Sequence, residues 1–215
     1  MIRIDFHSHT IFSKDSLTRL NSLIETSRRR RLDRVVVTDH NMIAGALAAH
    51  TLAPELVIIG EEIMTTRGEI LAAFVTEEIP PGLSPQETIK RLRDQGAFIS
   101  VSHPFDFARS GAWKMECLME IVTLVDAVEI FNARSISPGC NQRASEFARQ
   151  YHLPGTAGSD AHVAFELGSA TLVLPQFEGP DGLRKVIRVG KVQGRLSPFW
   201  VHFYSRYAYI LKKVV

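Results

Sequence analysis

His7 and His9 stand two residues apart at the end of a short stretch, Ile2 to Phe6, that reads as a first strand. In an extended chain alternate side chains leave on one face, so the two imidazoles point together and suit a shared cation. Related groups recur along the chain. Thr38-Asp39-His40 closes the run Leu32 to Val37, Gly60-Glu61-Glu62 follows Leu56 to Ile59, His103-Pro104 follows Ala97 to Val101, and Ser159-Asp160-Ala161-His162 follows a short run ending at Ala157. Taken singly, each is a capping or surface residue. Taken together they form a set of imidazoles and carboxylates without thiolates, which suits Zn²⁺, Mn²⁺ or Fe²⁺. That many donors can hold two or three ions, with an Asp or Glu as the usual bridge.

The elements that must position these groups are repeated strand–helix units. Between the first two apolar runs, Ser16 to Arg31 carries Leu17, Leu20, Leu23 and Ile24 at helical spacing, with Arg28 to Arg31 at the far end, where cations complement the helix dipole. The pattern predicts further helices over Met42 to Leu52, Pro85 to Gln95 (capped by Ser84), Trp113 to Leu124, Asn141 to Tyr151 and Gly182 to Val189. It predicts additional strands at Ile70 to Val75, Ala127 to Phe131 and Ser169 to Leu174. Repeated units of this kind give an α/β fold with a mainly parallel sheet, open or closed into a barrel of about seven strands, and the carboxyl ends of parallel strands meet on one face. All five histidine- and carboxylate-bearing segments sit at such ends. Trp200 to Val215 reads as an aromatic helix, and the segment 198–215 is expected to pack its stripe back on the barrel within a single domain, 1–215.

Composition narrows the class. The chain has 215 residues, is 45% hydrophobic and 22% charged, and carries a formal net charge of +2, which argues against a disordered tail or a polybasic nucleic-acid arm. Cys117 and Cys140 lie in no C-x-x-C spacing, so a disulfide scaffold or cysteine zinc knuckle lacks support. The polar start and the lack of any 18-residue apolar run predict a soluble protein without a membrane partner, and the cysteine usage fits the cytoplasm.

With Asp5-Phe-His-Ser-His9, Thr-Asp-His40, Gly-Glu-Glu62, Ser-His-Pro104, Val-Glu-Ile-Phe-Asn132 and Ser-Asp-Ala-His162 in this order, the sequence resembles the PHP family of metal-dependent phosphoesterases. The resemblance implies a distorted (β/α)₇ TIM-like barrel and a trinuclear site. It places His7, His9, Glu62 and Asp160 on the first ion, with Glu62 bridging to a second that His103 also binds. Asp15, His40 and His162 would hold the third. Where many members have a further histidine for the second ion, this chain has Glu69, which can ligate with a changed metal preference. Glu62, Asp160 and His162 are the residues expected to be closest to the chemistry. Asp5, Asp39 and Glu129 are expected to stand behind the ligands and orient them.

The expected chemistry is phosphate-ester hydrolysis by water activated on the ions, without a protein nucleophile. Arg134, Arg109 and Lys14 lie just beyond site-bearing segments and are candidates to grip phosphate, and Asn132, at the end of the Ala127 to Phe131 strand, is a candidate to touch substrate or to stand behind the ligands. The stretch Asp106 to Glu116 either covers the site and stacks a base or completes the core with Phe107 and Trp113. The favoured substrate is a small phosphorylated molecule or nucleotide, because the net charge leaves no extended nucleic-acid track. Three alternatives stand beside it: an oligonucleotide exonuclease, a metal-dependent amidohydrolase and a non-catalytic metal-binding partner module.

Overall fold

A computed structural model describes residues 1–214; Val215, the last residue of the expected C-terminal segment, lies outside the described residues. The chain runs β1 (Ile2–Ser8), α1 (Leu20–Arg29), β2 (Arg34–Val37), α2 (Ala44–Leu52), β3 (Val57–Met64), β4 (Glu69–Ala73), α3 (Pro85–Asp94), β5 (Phe98–Val101), α4 (Met115–Ile121), β6 (Ala127–Asn132), α5 (Pro138–Gln150), β7 (Gly155–Gly158), β8 (Ala170–Leu174), α6 (Gly179–Val186), β9 (Lys191–Gly194) and α7 (Val201–Val214). The sheet order is β7-β6-β5-β4-β3-β2-β1-β8-β9, so β1 to β7 follow one another in chain order. β4 is antiparallel to both neighbours, while β1–β2–β3 and β5–β6–β7 are parallel.

The sheet curls until its first and seventh strands meet. Asp160 N–H donates to the His7 carbonyl at 2.8 Å, and Ser8 bridges Ala161 in parallel fashion. This seam needs a glycine. A Cβ at Gly158 would lie 2.7 Å from the His7 backbone nitrogen, closer than a real side chain allows. β8 pairs with the amino-terminal half of β1 and β9 extends it, both antiparallel. The result is a nearly closed, TIM-like α/β barrel, with β8 and β9 hung on one edge.

Ile4, Phe6, Val36, Ile58, Phe98, Ala127 and Leu172 come from six strands and pack as one buried cluster. Each large side chain in such a cluster contributes about 1.5–3 kcal/mol by leaving water. α1 and α2 cover one flank through Leu23, Ile24, Ala46 and Ala49, and α3 to α5 cover another through Leu92, Leu118, Ile121 and Phe147. The Ser84 hydroxyl accepts from Glu87 N–H and caps α3 as expected.

The C-terminal segment differs from expectation in which face it buries. Val201 and Ala208 are buried, whereas Phe203 and Tyr207 are each 60% exposed. α7 packs through its small residues because its polar atoms are tied to the barrel on that side. Arg134 donates to the Val201 carbonyl and Ser205 hydroxyl, and Lys212 donates to the carbonyls of Ile11 and Ser13. Among the described residues, no helix is long and apolar enough to cross a membrane.

Candidate metal centre

All nine side chains read from the sequence as ligands gather at the carboxyl-end mouth of the barrel. His7 Nε2 lies 3.1 Å from His9 Nε2 and 3.2 Å from Glu62 Oε2, and His9 Nε2 lies 3.4 Å from that same oxygen. Asp160 Oδ1 completes the group at 3.2 Å from His9 Nε2 and 3.6 Å from His7 Nε2. Four donors held by one ion at about 2.0–2.1 Å in tetrahedral geometry stand roughly 3.3–3.4 Å apart. The observed spacings bracket that value. A second group joins Glu62 Oε1 and His103 Nε2 at 3.1 Å, with Glu69 Oε2 3.6 Å from the imidazole. A third joins Asp15 Oδ2 to His40 Nε2 and His162 Nε2, each at 3.4 Å. His40 also turns Nδ1 to Glu62 Oε2 at 3.1 Å, so it stands between the first and third groups.

The surrounding hydrogen bonds fix which ring nitrogens face inward. Glu129 accepts from His7 Nδ1–H at 3.0 Å. Ser13 gives its hydroxyl proton to Asp39 and therefore accepts from His9 Nδ1–H at 3.1 Å. His162 Nδ1–H donates to the Asp160 carbonyl at 2.8 Å. All three rings thus present Nε2 to the cluster, the arrangement that a second tier of acceptors imposes on metal-binding histidines. Register shifts fall in β1 between Asp5 and Ser8 and in β6 between Glu129 and Phe131, the two strands that carry this His7–Glu129 pair. Such bulges re-aim side chains beside functional sites.

Electrostatics of the protein alone leave a place for a cation. Burial by itself lowers the His7 pKa, but the carboxylates of Glu62, Asp160 and Glu129 outweigh it and hold the ring protonated. Burial, reinforced by His162 and His40, pushes His9 down to about 4 and keeps it neutral. Burial and the Glu62 charge raise Glu69, whereas Glu62 and Asp160 stay ionised despite burial because His7 lies beside both and Arg109 beside Asp160. A single proton on His7 therefore sits where three acceptors converge. Asp160 Oδ1 and Asp15 Oδ1 are buried without a hydrogen-bond partner. A divalent cation supplies the charge and the coordination that these atoms lack, so the residues present fit the group.

Behind the ligands, the structure reassigns several expected roles. Glu129 also accepts from His103 N–H at 2.9 Å and thereby ties two ligand groups together. Asp39 holds no imidazole directly; it accepts from Thr10 and from Ser13, and Ser13 holds His9. Asp5 likewise touches no ring and instead accepts the backbone N–H of His7, Ser159 and Gly168 across the seam. Asn132 is corrected from substrate contact to support. It is fully buried, its amide donates to Glu129 and Asp160, and its oxygen accepts from Arg134 N–H. Ser13 and Ser102, whose hydroxyl donates to Glu62 Oε1 at 2.7 Å, were not legible beforehand because serines carry no spacing signal.

Asp160 adopts φ 53°, a left-handed backbone that non-glycine residues seldom hold, and Asn41 beside His40 has φ 54°. Strain of about 1–3 kcal/mol per residue persists where surrounding contacts over-determine the conformation. Here the seam and the Arg109 ion pair do so.

The cluster opens into a cleft of about 260 Å³ lined by Lys14, Arg109, Arg134, His202 and Ser205 together with Asp15, His40, Glu69 and His162. Arg109 is engaged, at 2.5 Å from Asp160 Oδ2 and 3.0 Å from Asp106. Arg134 Nη1 is buried and unpartnered. The segment after Pro104 divides its residues: Phe105 and Trp113 complete the core, Phe107 is 61% exposed, and Arg109 and Ser110 face the cleft. Removing the Glu129 charge by Glu129→Gln is expected to weaken ion binding about 10–100-fold with the fold retained, checked by competition with a chelator.

A family model described as PHP-associated, PHP_C, matches residues 138–192. The uncharacterized protein MJ0417 of Methanocaldococcus jannaschii is 36% identical over 187 residues, covering 85% of this chain and 75% of the relative. The chain belongs to the PHP family. In three dimensions it is similar to a two-domain protein from Bacteroides vulgatus described as containing a predicted PHP-like metal-dependent phosphoesterase, with TM-score 0.72, 19% identity, and 90% of this chain aligned. The chain spans 65% of that protein's length. PsfC from Pseudomonas syringae aligns over 100% of this chain and 99% of its own, with TM-score 0.68 and 15% identity.

Proposed function

We propose that the protein hydrolyses a small phosphate ester with two or three divalent ions held by His7, His9, Asp15, His40, Glu62, Glu69, His103, Asp160 and His162. The observation that supports this most is the junction of the three ligand groups with a cleft that Lys14, Arg109 and Arg134 also line. Ions bound there would lower the pKa of water and offset charge on the phosphoryl oxygens. The side chains do the rest. Arg134 and Lys14 orient the substrate phosphate, and Arg134 has a free Nη1 for it. Arg109 holds Asp160 in place through its second oxygen, leaving Oδ1 toward the ligand group. Ser13 and Glu129 keep the two lead imidazoles in the tautomer that offers Nε2.

The cleft volume lies just below the roughly 300–1,000 Å³ usual for ligand pockets, which favours a sugar phosphate or mononucleotide over a longer chain. The test is phosphate release from sugar phosphates, nucleoside monophosphates and short oligonucleotides, with bound metals counted. The expected result is turnover of monoesters that stops on chelation and returns with Mn²⁺, Zn²⁺ or Fe²⁺. Full ion occupancy without release from any phosphoester would overturn the reading and favour amide-bond hydrolysis or a binding role.

A further inference from the structure

α7 contributes to the cleft as well as to the barrel. His202 and Ser205 stand three residues apart, neighbours on one side of the helix, and both line the cleft. The helix is held there at two points. Arg134 donates to the Val201 carbonyl at 3.2 Å and to the Ser205 hydroxyl at 2.9 Å, and Lys212 donates to the carbonyls of Ile11 and Ser13, in the loop that carries Asp15. The Ser205 hydroxyl gives its own proton to the His202 carbonyl at 3.1 Å. The turn that presents His202 is therefore fixed by the same arginine that is assigned to the substrate phosphate.

The polar groups of the cleft differ in what they can still offer a substrate. Arg109 is held by Asp160 and Asp106, Arg134 and Lys14 suit an anion, and the Ser205 hydroxyl is already both donor and acceptor. The half-buried ring of His202 makes no hydrogen bond to a described residue. Burial, with the guanidiniums of Arg134 and Arg109, lowers its pKa against the pull of Asp160 and Asp106, so near pH 7 it is an uncharged imidazole with one N–H donor and one acceptor nitrogen. Such a pair matches a hydroxyl, which also donates once and accepts. Ser110, another uncharged side chain of the cleft, is exposed on the segment after Pro104.

We propose that His202 is a substrate-binding residue that hydrogen-bonds a hydroxyl on the organic group of the ester, so that the cleft selects polyhydroxylated phosphates of the sugar or sugar-alcohol class over alkyl phosphates of equal size. The inference rests on the reading of the cleft as a phosphate-ester site and adds to it which ester is preferred. Contacts to the phosphate alone hold every monoester alike. A polar group set to pair a hydroxyl discriminates against the analogue that lacks it, because the group then loses water without gaining a partner.

The test compares sorbitol 6-phosphate with hexyl phosphate, an ester of the same chain length without the hydroxyls, in the metal-loaded wild type and in His202→Phe, which keeps a flat ring and removes both nitrogens. The wild type is expected to favour sorbitol 6-phosphate in kcat/KM by about tenfold or more, and the variant to lower that ratio about tenfold with the count of bound ions unchanged. Calorimetric binding of the matching phosphonates, which cannot be hydrolysed, is expected to show the same change of ratio in Kd. A wild type without preference overturns the proposal, as does a variant that weakens both compounds alike, the mark of a structural role. A His202-dependent preference in phosphonate binding, without phosphate release from either ester, would sink the hydrolysis reading and leave the His202 contact standing. Failure of both phosphonates to bind would overturn the two together.

Discussion

Asp160→Asn is expected to remove one bound ion and to lower phosphate release about 1,000-fold while leaving the barrel folded. The estimate follows from losing several kcal/mol of electrostatic support at a site where each 1.4 kcal/mol is a factor of ten. Asp160 serves two partners at once, with Oδ1 toward the His7 and His9 nitrogens and Oδ2 toward Arg109 and Asn132. An amide in its place has one oxygen and no charge, so it satisfies one side at the expense of the other. Arg109 keeps its bond to Asp106, which limits the structural damage. Elemental analysis of the purified variant beside a phosphate-release assay checks both parts. Activity within tenfold of wild type would separate Asp160 from the reaction and sink the proposed ligand grouping.

Trp113→Ala should produce the largest loss of stability. The indole is 1% exposed, covers Gly68 where a Cβ would collide with the ring, and donates from Nε1 to the Glu69 carbonyl at 3.0 Å. Truncating a buried Trp costs about 3–5 kcal/mol, which for a chain of this size lowers the melting temperature by on the order of 10 °C. Because the ring clamps the start of β4, the variant is also expected to bind fewer ions, through a loosened Glu69. Trp113→Phe, which keeps most of the ring and loses one hydrogen bond of about 1 kcal/mol, should fall between the two. Urea denaturation with metals counted before unfolding measures both effects. A midpoint equal to that of wild type would show that the indole anchors nothing.

The parts of this fold that rest on local periodicity were legible from the residues. Val35-Val36-Val37 reads as a buried strand and is one, and the alternation of His7 and His9 places both rings in the cluster. What escaped was non-local. Lys191–Gly194 forms β9 with no apolar pattern, since an exposed edge strand needs only the ladder to β8. Asn132 looked available at a strand end, yet Glu129 of its own strand, Asn141 of α5 and Asp160 beyond β7 close around it. The aromatic spacing of α7 gave the helix but not its orientation. Periodicity identifies an apolar face without saying which body covers it, and here Arg134 and Lys212 turned the opposite face to the barrel.

The joining of β1 to β7 also has a kinetic meaning. Asp5 and Ser159, which hydrogen-bond across that seam, are 154 residues apart. At synthesis rates of about 5–20 residues per second, His7 and His9 emerge roughly 8–30 s before Asp160 exists to complete their group. During that interval the nascent chain offers a bare histidine pair and no finished site. Closure brings together contacts of very high sequence separation, the kind that slow folding most. Ion capture at the proposed site would therefore be a late event that reports a finished barrel, and ions present during refolding should lock the last step without hastening the earlier ones.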